Sequence, residues 1–211
     1  MKRWTILLLI ISHILFITCK TNKTVFESQN PIQSGIAFSN SLIESDSLNI
    51  IEYLYFYNGG GVAVGDINND GLADIYLSAN QQSNKLYLNK GNFKFEDITS
   101  ASGTANPGDW KTGVSMVDIN QDGWLDIYVC EVGEYKNING RNKLYINNRN
   151  NSFTEKAKEY GLDIVAFSTQ AAWLDFDLDG DVDMYLLCHS VHSTDTYKDT
   201  AIRHSIDKLK G

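Results

Sequence analysis

The sequence predicts an all-β protein, a partial β-propeller built from four-stranded blades. An acidic nine-residue segment occurs three times, as DINNDGLAD, DINQDGWLD and DFDLDGDVD. The copies begin at Asp66, Asp118 and Asp175, so their starts lie 52 and 57 residues apart. Short apolar stretches flank each copy and clusters of Asn, Asp and Gly separate them, which is typical of strands joined by turns. Four such strands in a repeat of about 40 to 50 residues indicate a propeller blade.

One repeat unit contains four predicted strands, GVAVGD, ADIYLSA, KLYLN and FKFEDI. The motif NKLYLN follows the first acidic segment and NKLYIN follows the second, but the third has no counterpart. Residues 50–211 therefore correspond to about two and a half blades, whereas propellers close with about 4 to 8. We expect an incomplete propeller that continues beyond Gly211. An open three-blade array is the alternative, although its exposed edge strands would favour aggregation.

The N-terminal residues predict export. Residues 1–18 are typical of a lipoprotein signal peptide, because Lys2 and Arg3 precede a short apolar stretch that stops at Cys19. A membrane-spanning helix needs about 20 apolar residues, so permanent insertion is disfavoured. Cys19 is the predicted lipidation site, with simple secretion as the alternative. Residues 19–49, rich in Ser, Asn and Thr, are predicted to form a tether and a strand that leads into the first blade.

The acidity of the chain is local. The formal net charge is −8, and the three acidic segments hold eleven Asp, without which it would be +3. An acidic surface does not favour nucleic acid or anionic lipid. Several carboxylates that converge on one point are unfavourable unless a cation neutralises them. The question is therefore which cation these segments fit.

The spacing of the oxygen donors predicts about three calcium sites. Side chains at positions 1, 3, 5 and 9 and the carbonyl at position 7 can turn inward, and glycine at position 6 permits the tight turn. Oxygen ligands in this number favour Ca²⁺ over Zn²⁺ or Mg²⁺. The predicted ligands are Asp66, Asn68, Asp70, Leu72 and Asp74 in the first segment, Asp118, Asn120, Asp122, Trp124 and Asp126 in the second, and Asp175, Asp177, Asp179, Asp181 and Asp183 in the third.

Two other structures could contain segments of this kind. An EF-hand needs a glutamate at position 12 between helices, but position 12 is Leu77, Val129 or Leu186 and the flanks resemble strands. A metal-free hairpin is the other, since Asp-Gly alone is a common turn pair. Three copies with the oxygen donors in phase argue against it.

These segments, with the NxLYxN and FxDIT motifs that follow, resemble the FG-GAP/VCBS repeats of integrin-type β-propellers. More narrowly, the chain is similar to bacterial surface lipoproteins of the cartilage acidic protein type, which carry an ASPIC/UnbV domain. The resemblance covers residues 35–211 and implies a seven-bladed propeller with calcium in its loops, on an outer-membrane or cell-surface lipoprotein. Asn68 and Asn120 stand where the family pattern has Asp, and both keep an oxygen donor.

The predicted function is non-catalytic: a calcium-stiffened scaffold that presents loops to a protein or glycan partner. A loop saturated with protein ligands leaves no open position for a substrate. The alternative is a polysaccharide-active hydrolase or lyase, or a zinc site, in the polar stretch after the third segment. The residues concerned are Cys188, His189, Ser190, His192, Ser193, Asp195 and His204.

Aromatic and cysteine residues give further expectations. A tyrosine follows each acidic segment by two residues, and this equivalence predicts that Tyr76, Tyr128 and Tyr185 belong to the core. Trp110, in the turn NPGDW, is the predicted exposed aromatic. The remaining cysteines end equivalent predicted strands, and they either pair in the exported protein or remain buried thiols.

Overall fold

The computed structural model describes residues 26–190. Contacts divide the chain into units 1–30 and 31–211, and all helices and strands below belong to the second unit. None of the described helices is long and apolar enough to cross a membrane. The predicted signal peptide and Cys19 lie outside the described residues. The helices are α1 (Pro31–Ser34) and α2 (Thr99–Ser102), and the strands are β1 (Val62–Gly65), β2 (Asp74–Leu77), β3 (Lys85–Asn89), β4 (Phe95–Asp97), β5 (Trp110–Val117), β6 (Asp126–Val132), β7 (Lys143–Asn147), β8 (Phe153–Glu155), β9 (Ser168–Leu174) and β10 (Asp183–Cys188).

The strands form three antiparallel sheets in chain order. Strands β1 to β4 form the first blade, β5 to β8 form the second, and β9 and β10 form a two-stranded third sheet. The first hairpin of each sheet closes with an equivalent pair at the base of an acidic loop. These pairs are Gly65 with Asp74, Val117 with Asp126 and Leu174 with Asp183. The predicted partial β-propeller of four-stranded blades is confirmed.

The core lies between successive sheets. One cluster joins the facing sides of the two blades, through Ala63, Ile67, Tyr76, Leu86, Leu88, Val114, Ile127, Val129, Tyr145 and Phe153. A second joins the second blade to the third sheet, through Tyr128, Cys130, Leu144, Ile146, Ala157 and Ala171, with Trp173, Met184 and Leu186 packed against it. These two clusters bury the apolar side chains of each sheet against its neighbour, as expected for blades.

The repeat-equivalent tyrosines differ in burial. Tyr76 and Tyr128 are fully buried, as predicted, but Tyr185 is 61% exposed. The prediction is wrong for Tyr185 because, among the described residues, no further sheet covers its face of β10. Val62 at the opposite end of the array is exposed in the same way.

Trp110 corrects another expectation, since only 2% of it is exposed. It begins β5 and lies in an aromatic cluster, with its ring centroid 5.4 Å from that of Tyr53 and 5.2 Å from that of Phe56. Tyr135, from the long connection between β6 and β7, belongs to the same cluster. The segment before the first blade thus folds over the turn that the sequence predicts to be open.

Both described cysteines are free. Cys130 in β6 is buried, and burial raises the pKa of its thiol to about 12. Cys188, at the end of β10, is exposed, so the expectation of two buried thiols is wrong for this residue. The open face of the third sheet explains the difference.

The second blade buries two charged side chains. Lys111 in β5 lies opposite Glu131 in β6, and neither is exposed. The Lys111 ammonium donates to the carbonyls of Gly108 and Asp109. Burial lowers the pKa of Lys111 to about 8 and raises that of Glu131. The Lys111 ammonium in the native protein therefore loses its proton near pH 8.

This buried lysine predicts a dependence of stability on pH. Between about pH 8 and the unfolded-state pKa near 10.5, the unfolded chain binds a proton that the native Lys111 has lost. The free energy of unfolding should therefore gain a rising contribution of up to about 1.4 kcal/mol per pH unit. Urea unfolding of the wild type and of Lys111→Met at pH 8, 9 and 10 measures it. Cys130 opposes this rise in both proteins. The difference between their slopes of unfolding free energy against pH therefore isolates Lys111, and equal slopes would contradict the prediction.

Candidate metal centres

Each acidic segment is the loop between the first two strands of its sheet. The first loop (66–74) joins β1 to β2, the second loop (118–126) joins β5 to β6, and the third loop (175–183) joins β9 to β10. Position 1 directly follows one strand and position 9 is the first residue of the next. Antiparallel pairing thus brings the two ends of every loop together.

The carboxylate at position 1 holds the turn. Asp66 accepts hydrogen bonds from the backbone amides of positions 5 and 6 at 3.1 and 2.7 Å. Asp118 accepts the same two bonds at 2.9 and 2.8 Å. Asp175 accepts the bond from position 6 at 3.1 Å. The first side chain of each loop therefore points inward across the turn.

The side chains at positions 3 and 5 curl back over their own loop. Asn68 and Asp70 accept from backbone amides two residues further on, at 3.2 and 2.9 Å. The second loop repeats these bonds at 3.2 and 3.0 Å, and the third at 3.3 and 2.9 Å. Short Asx-type bonds of this kind are local and follow from the residue types. In the first two loops the side-chain amide at position 3 also donates to the carboxylate at position 5, at 3.0 and 3.2 Å.

The aspartate at position 9 is the most constrained donor. Asp74 is fully buried and accepts from the amides of Ile67 at 3.0 Å and Asn89 at 2.7 Å. Asp126 is equally buried and accepts equivalent bonds at 3.2 and 2.7 Å. Burial raises the pKa of both carboxyls, that of Asp126 to about 6. Asp183 is exposed and keeps the bond from position 2, at 2.7 Å.

The backbone explains the glycine at position 6. Gly71, Gly123 and Gly180 have φ values of 84°, 84° and 96°, in the left-handed region. A Cβ at any of the three would meet no atom within 4 Å, so the backbone angle, not space, requires glycine. Position 4 also has positive φ in all three loops, at 57°, 55° and 63°.

The donor set fits a hard cation. Carboxylate oxygens of Asp175, Asp177 and Asp183 lie within 4.8 Å of one another, a grouping that no other His, Cys, Asp or Glu in residues 26–190 makes. Asn68 and Asn120 supply an amide oxygen at position 3 of the other loops. A carboxylate that accepts one backbone amide keeps lone pairs for a cation, and Ca²⁺ takes such oxygens. The carbonyl ligands of position 7 stay predictions, at Leu72, Trp124 and Asp181.

The NxLYxN motif fixes each loop to the rest of its blade. The side chain of Asn84 accepts from the amide of Ala79 at 3.0 Å and donates to the buried hydroxyl of Tyr76 at 2.9 Å. Asn89 donates its side-chain amide to the carbonyl of Ala73, position 8 of the loop, at 2.8 Å. The second blade repeats the three contacts at 2.8, 2.9 and 3.0 Å. From the sequence alone the motif marks the repeat, and this anchoring role was not predicted.

Arg149 enters the second loop from the turn between β7 and β8. Its guanidinium lies 3.0 Å from the Asp122 carboxylate at position 5. Desolvation acts to raise the pKa of Asp122, but Arg149 and the Trp124 amide hold it below its ordinary value. The equivalent position of the first blade is Gly91. No repeat pattern could indicate this residue, because it occurs in one unit only.

The residues of the enzyme alternative give no support to it where they are described. The His189 ring stacks on Tyr55 at 4.0 Å, and its Nε2 lies 2.9 Å from the Tyr53 hydroxyl. Desolvation raises the pKa of the Cys188 thiol, the opposite of an activated nucleophile. The other residues of that alternative lie outside the described range: His192, Ser193, Asp195 and His204.

Blades whose first hairpins carry acidic, glycine-containing loops define a class of repeat protein. Residues 66–129 match the model of the FG-GAP-like repeat. This match runs from position 1 of the first loop into β6, so it contains both complete loops of the two blades. The resemblance to FG-GAP repeats inferred from the sequence is therefore confirmed.

Individual relatives agree with this class. Cartilage acidic protein 1 of Xenopus tropicalis is 37% identical over 91 residues, which are 43% of this chain and 13% of the relative. Its counterpart in Homo sapiens is 35% identical over 91 residues. Integrin alpha-8 of Gallus gallus is 35% identical over 108 residues, 42% of this chain and 10% of that protein. The matched part thus spans about an eighth or less of these relatives.

Arg149 predicts a difference in affinity that substitution can reveal. Arg149→Asn keeps a residue suited to the φ of 62° and removes a positive charge from beside Asp122. Calcium should then bind the second loop more tightly, by up to about fivefold, since an exposed ion pair contributes up to about 1 kcal/mol. Terbium luminescence excited through Trp124 and competed with calcium measures this. Arg149→Lys is the charge-matched control, and a weaker site in Arg149→Asn would show that Arg149 orders the loop.

Proposed function

We propose that this protein is a calcium-binding, cell-surface lipoprotein whose propeller serves as a non-catalytic scaffold for a protein or glycan partner. The observation that carries the proposal is the repetition of one loop geometry. The three loops share the hydrogen bond that position 1 accepts from position 6 and the Asx bonds accepted by positions 3 and 5, although their sequences differ at positions 2, 3, 4, 7 and 8. A turn alone does not need this constancy.

Calcium would act on structure, not on a reaction. The loop itself supplies five candidate oxygen donors, so protein groups would fill most of the roughly six to eight positions of a calcium ion and leave little room for a substrate. Three calcium ions would place six positive charges beside the eleven Asp side chains gathered in three loops. Calcium sites of extracellular modules need dissociation constants of only about 10⁻⁴ to 10⁻³ M. An exported protein meets that concentration, which agrees with the proposed location.

Anchoring is proposed from the N-terminal sequence. A basic start, a short apolar stretch and Cys19 support export followed by attachment of lipid. The partner is proposed by its chemical kind only, protein or glycan, since the formal charge of −8 disfavours nucleic acid. Similarity to a cartilage acidic protein and to an integrin α-chain supports an interaction scaffold.

Calcium removal should lower the melting temperature of the full-length protein. An ion that binds only the native state adds about 2.7 kcal/mol at a hundredfold excess over the dissociation constant. Thermal unfolding in calcium and in excess EGTA, followed by circular dichroism, measures the shift. A triple variant, Asp66→Asn, Asp118→Asn and Asp175→Asn, should lose it. An identical melting curve in both buffers would exclude calcium as a stabilising ligand.

Cys19 should be required for membrane attachment. In a bacterial host, the wild type should take up labelled fatty acid and sediment with membranes, because a lipidated cysteine inserts its chains into the bilayer. Cys19→Ala should lose the label and the sedimentation. Cys188→Ala is the matched control and should keep both. Label retained by Cys19→Ala would refute the lipoprotein assignment and leave the calcium proposal intact.

A further inference from the structure

Successive acidic loops are joined by side-chain hydrogen bonds from position 4. In the first loop, Asn69 donates its amide to the carbonyl of Gly123, position 6 of the second loop, at 3.0 Å. In the second loop, Gln121 donates to the carbonyl of Gly180, position 6 of the third loop, at 2.6 Å. The same donor position meets the same acceptor position twice, over sequence separations of 54 and 59 residues.

Both ends of each bond lie beside candidate ligands. Asn69 stands between Asn68 and Asp70, positions 3 and 5 of its loop. Gly123 stands between Asp122 and Trp124, positions 5 and 7 of the next. The accepting carbonyl belongs to position 6, which is not a predicted ligand, so the bond and a cation would not compete for one oxygen. A cation that fixes one loop would therefore also fix the end of the bond to its neighbour.

The third loop departs from this plan. Its position 4 is Leu178, which has φ of 63° and is 86% exposed. The leucine side chain has no hydrogen-bond donor. The third loop can therefore accept a bond at position 6 but cannot donate one from the side chain at position 4. The same loop position thus accommodates an amide in two copies and an apolar side chain in one.

We propose that Asn69 and Gln121 are coupling residues, whose hydrogen bonds make calcium bound in one loop favour calcium binding in the next. This inference rests on the proposed function, because it requires that the loops bind calcium. The mechanism is ordering: a neighbour already held by its ion lowers the entropy lost when a loop closes on its own. One exposed hydrogen bond supports a coupling of about two- to tenfold in affinity. This modifies the quasi-independent behaviour expected for simple repeats.

A double-mutant cycle read from the second loop tests the coupling. Calcium competition of terbium luminescence, excited through Trp124, would be measured on the full-length wild type, Asp179→Ala, Gln121→Leu and the double variant. Asp179→Ala removes a ligand from the third loop, and leucine is the residue that this loop already holds at position 4. Trp124→Phe identifies the signal of the second loop. Asn92→Leu, at an exposed turn residue with φ of 53°, is the matched control for the substitution itself.

We expect Asp179→Ala to lower the calcium affinity of the second loop about two- to tenfold when Gln121 is present. In Gln121→Leu the same substitution should lower it less than about twofold. A second cycle with Asp66→Ala and Asn69→Leu tests the other bond and decides the matter if Gln121→Leu does not fold. Equal effects with and without the amide, on a saturable signal displaced by calcium, would overturn the coupling alone. A signal that calcium does not displace would overturn the proposed function and the coupling with it.

Discussion

The structure of each blade depends on the buried carboxylate at position 9 of its loop. This side chain begins the second strand, yet it accepts one amide from the start of the loop and another from the end of the third strand, as Asp74 does from Ile67 and Asn89. One group thus closes the loop, sets the first hairpin and fixes the third strand against it. Without it, two backbone amides of the first blade would lose their acceptor, which is unfavourable where water is excluded.

Burial of that carboxylate depends on structure outside its own loop. Asp74 and Asp126 are fully buried and their pKa values are raised, whereas Asp183 is exposed. The hydrogen bond from position 2 is present in all three loops, so the loop forms by local rules. The electrostatic environment of the carboxylate, in contrast, depends on the sheets and strands packed around it. Each loop therefore forms by itself, whereas the burial of its position 9 depends on the strands around it, including the third strand of its own blade.

Repetition decided how much of this could be predicted. Alignment of the three copies located the strands and the inward donors, because both follow from residue types at fixed local spacing. Trp110 and Tyr185 were misjudged because their burial depends on packing partners from other parts of the chain or, for Tyr185, on a neighbouring sheet. Arg149 could not be found, since its contact joins residues 27 apart and occurs in one unit only. Gln121 shares position 4 with Asn69, but its acceptor lies 59 residues away in the next loop. Asn84 and Asn142 carried a usable signal, because each begins the NxLYxN motif of its blade, although their separations from the partner tyrosine differ, at eight and fourteen residues.

Face-to-face burial of successive sheets has a consequence for how such a chain can change in length. The sheets bury apolar side chains against the adjacent sheet, and each four-stranded blade carries its loop and its anchoring asparagines as one set. Loss or gain of a single strand would separate a loop from the asparagines that anchor it. Viable changes should therefore come as whole units, so the evolution of this architecture proceeds by duplication and deletion in steps of about fifty residues.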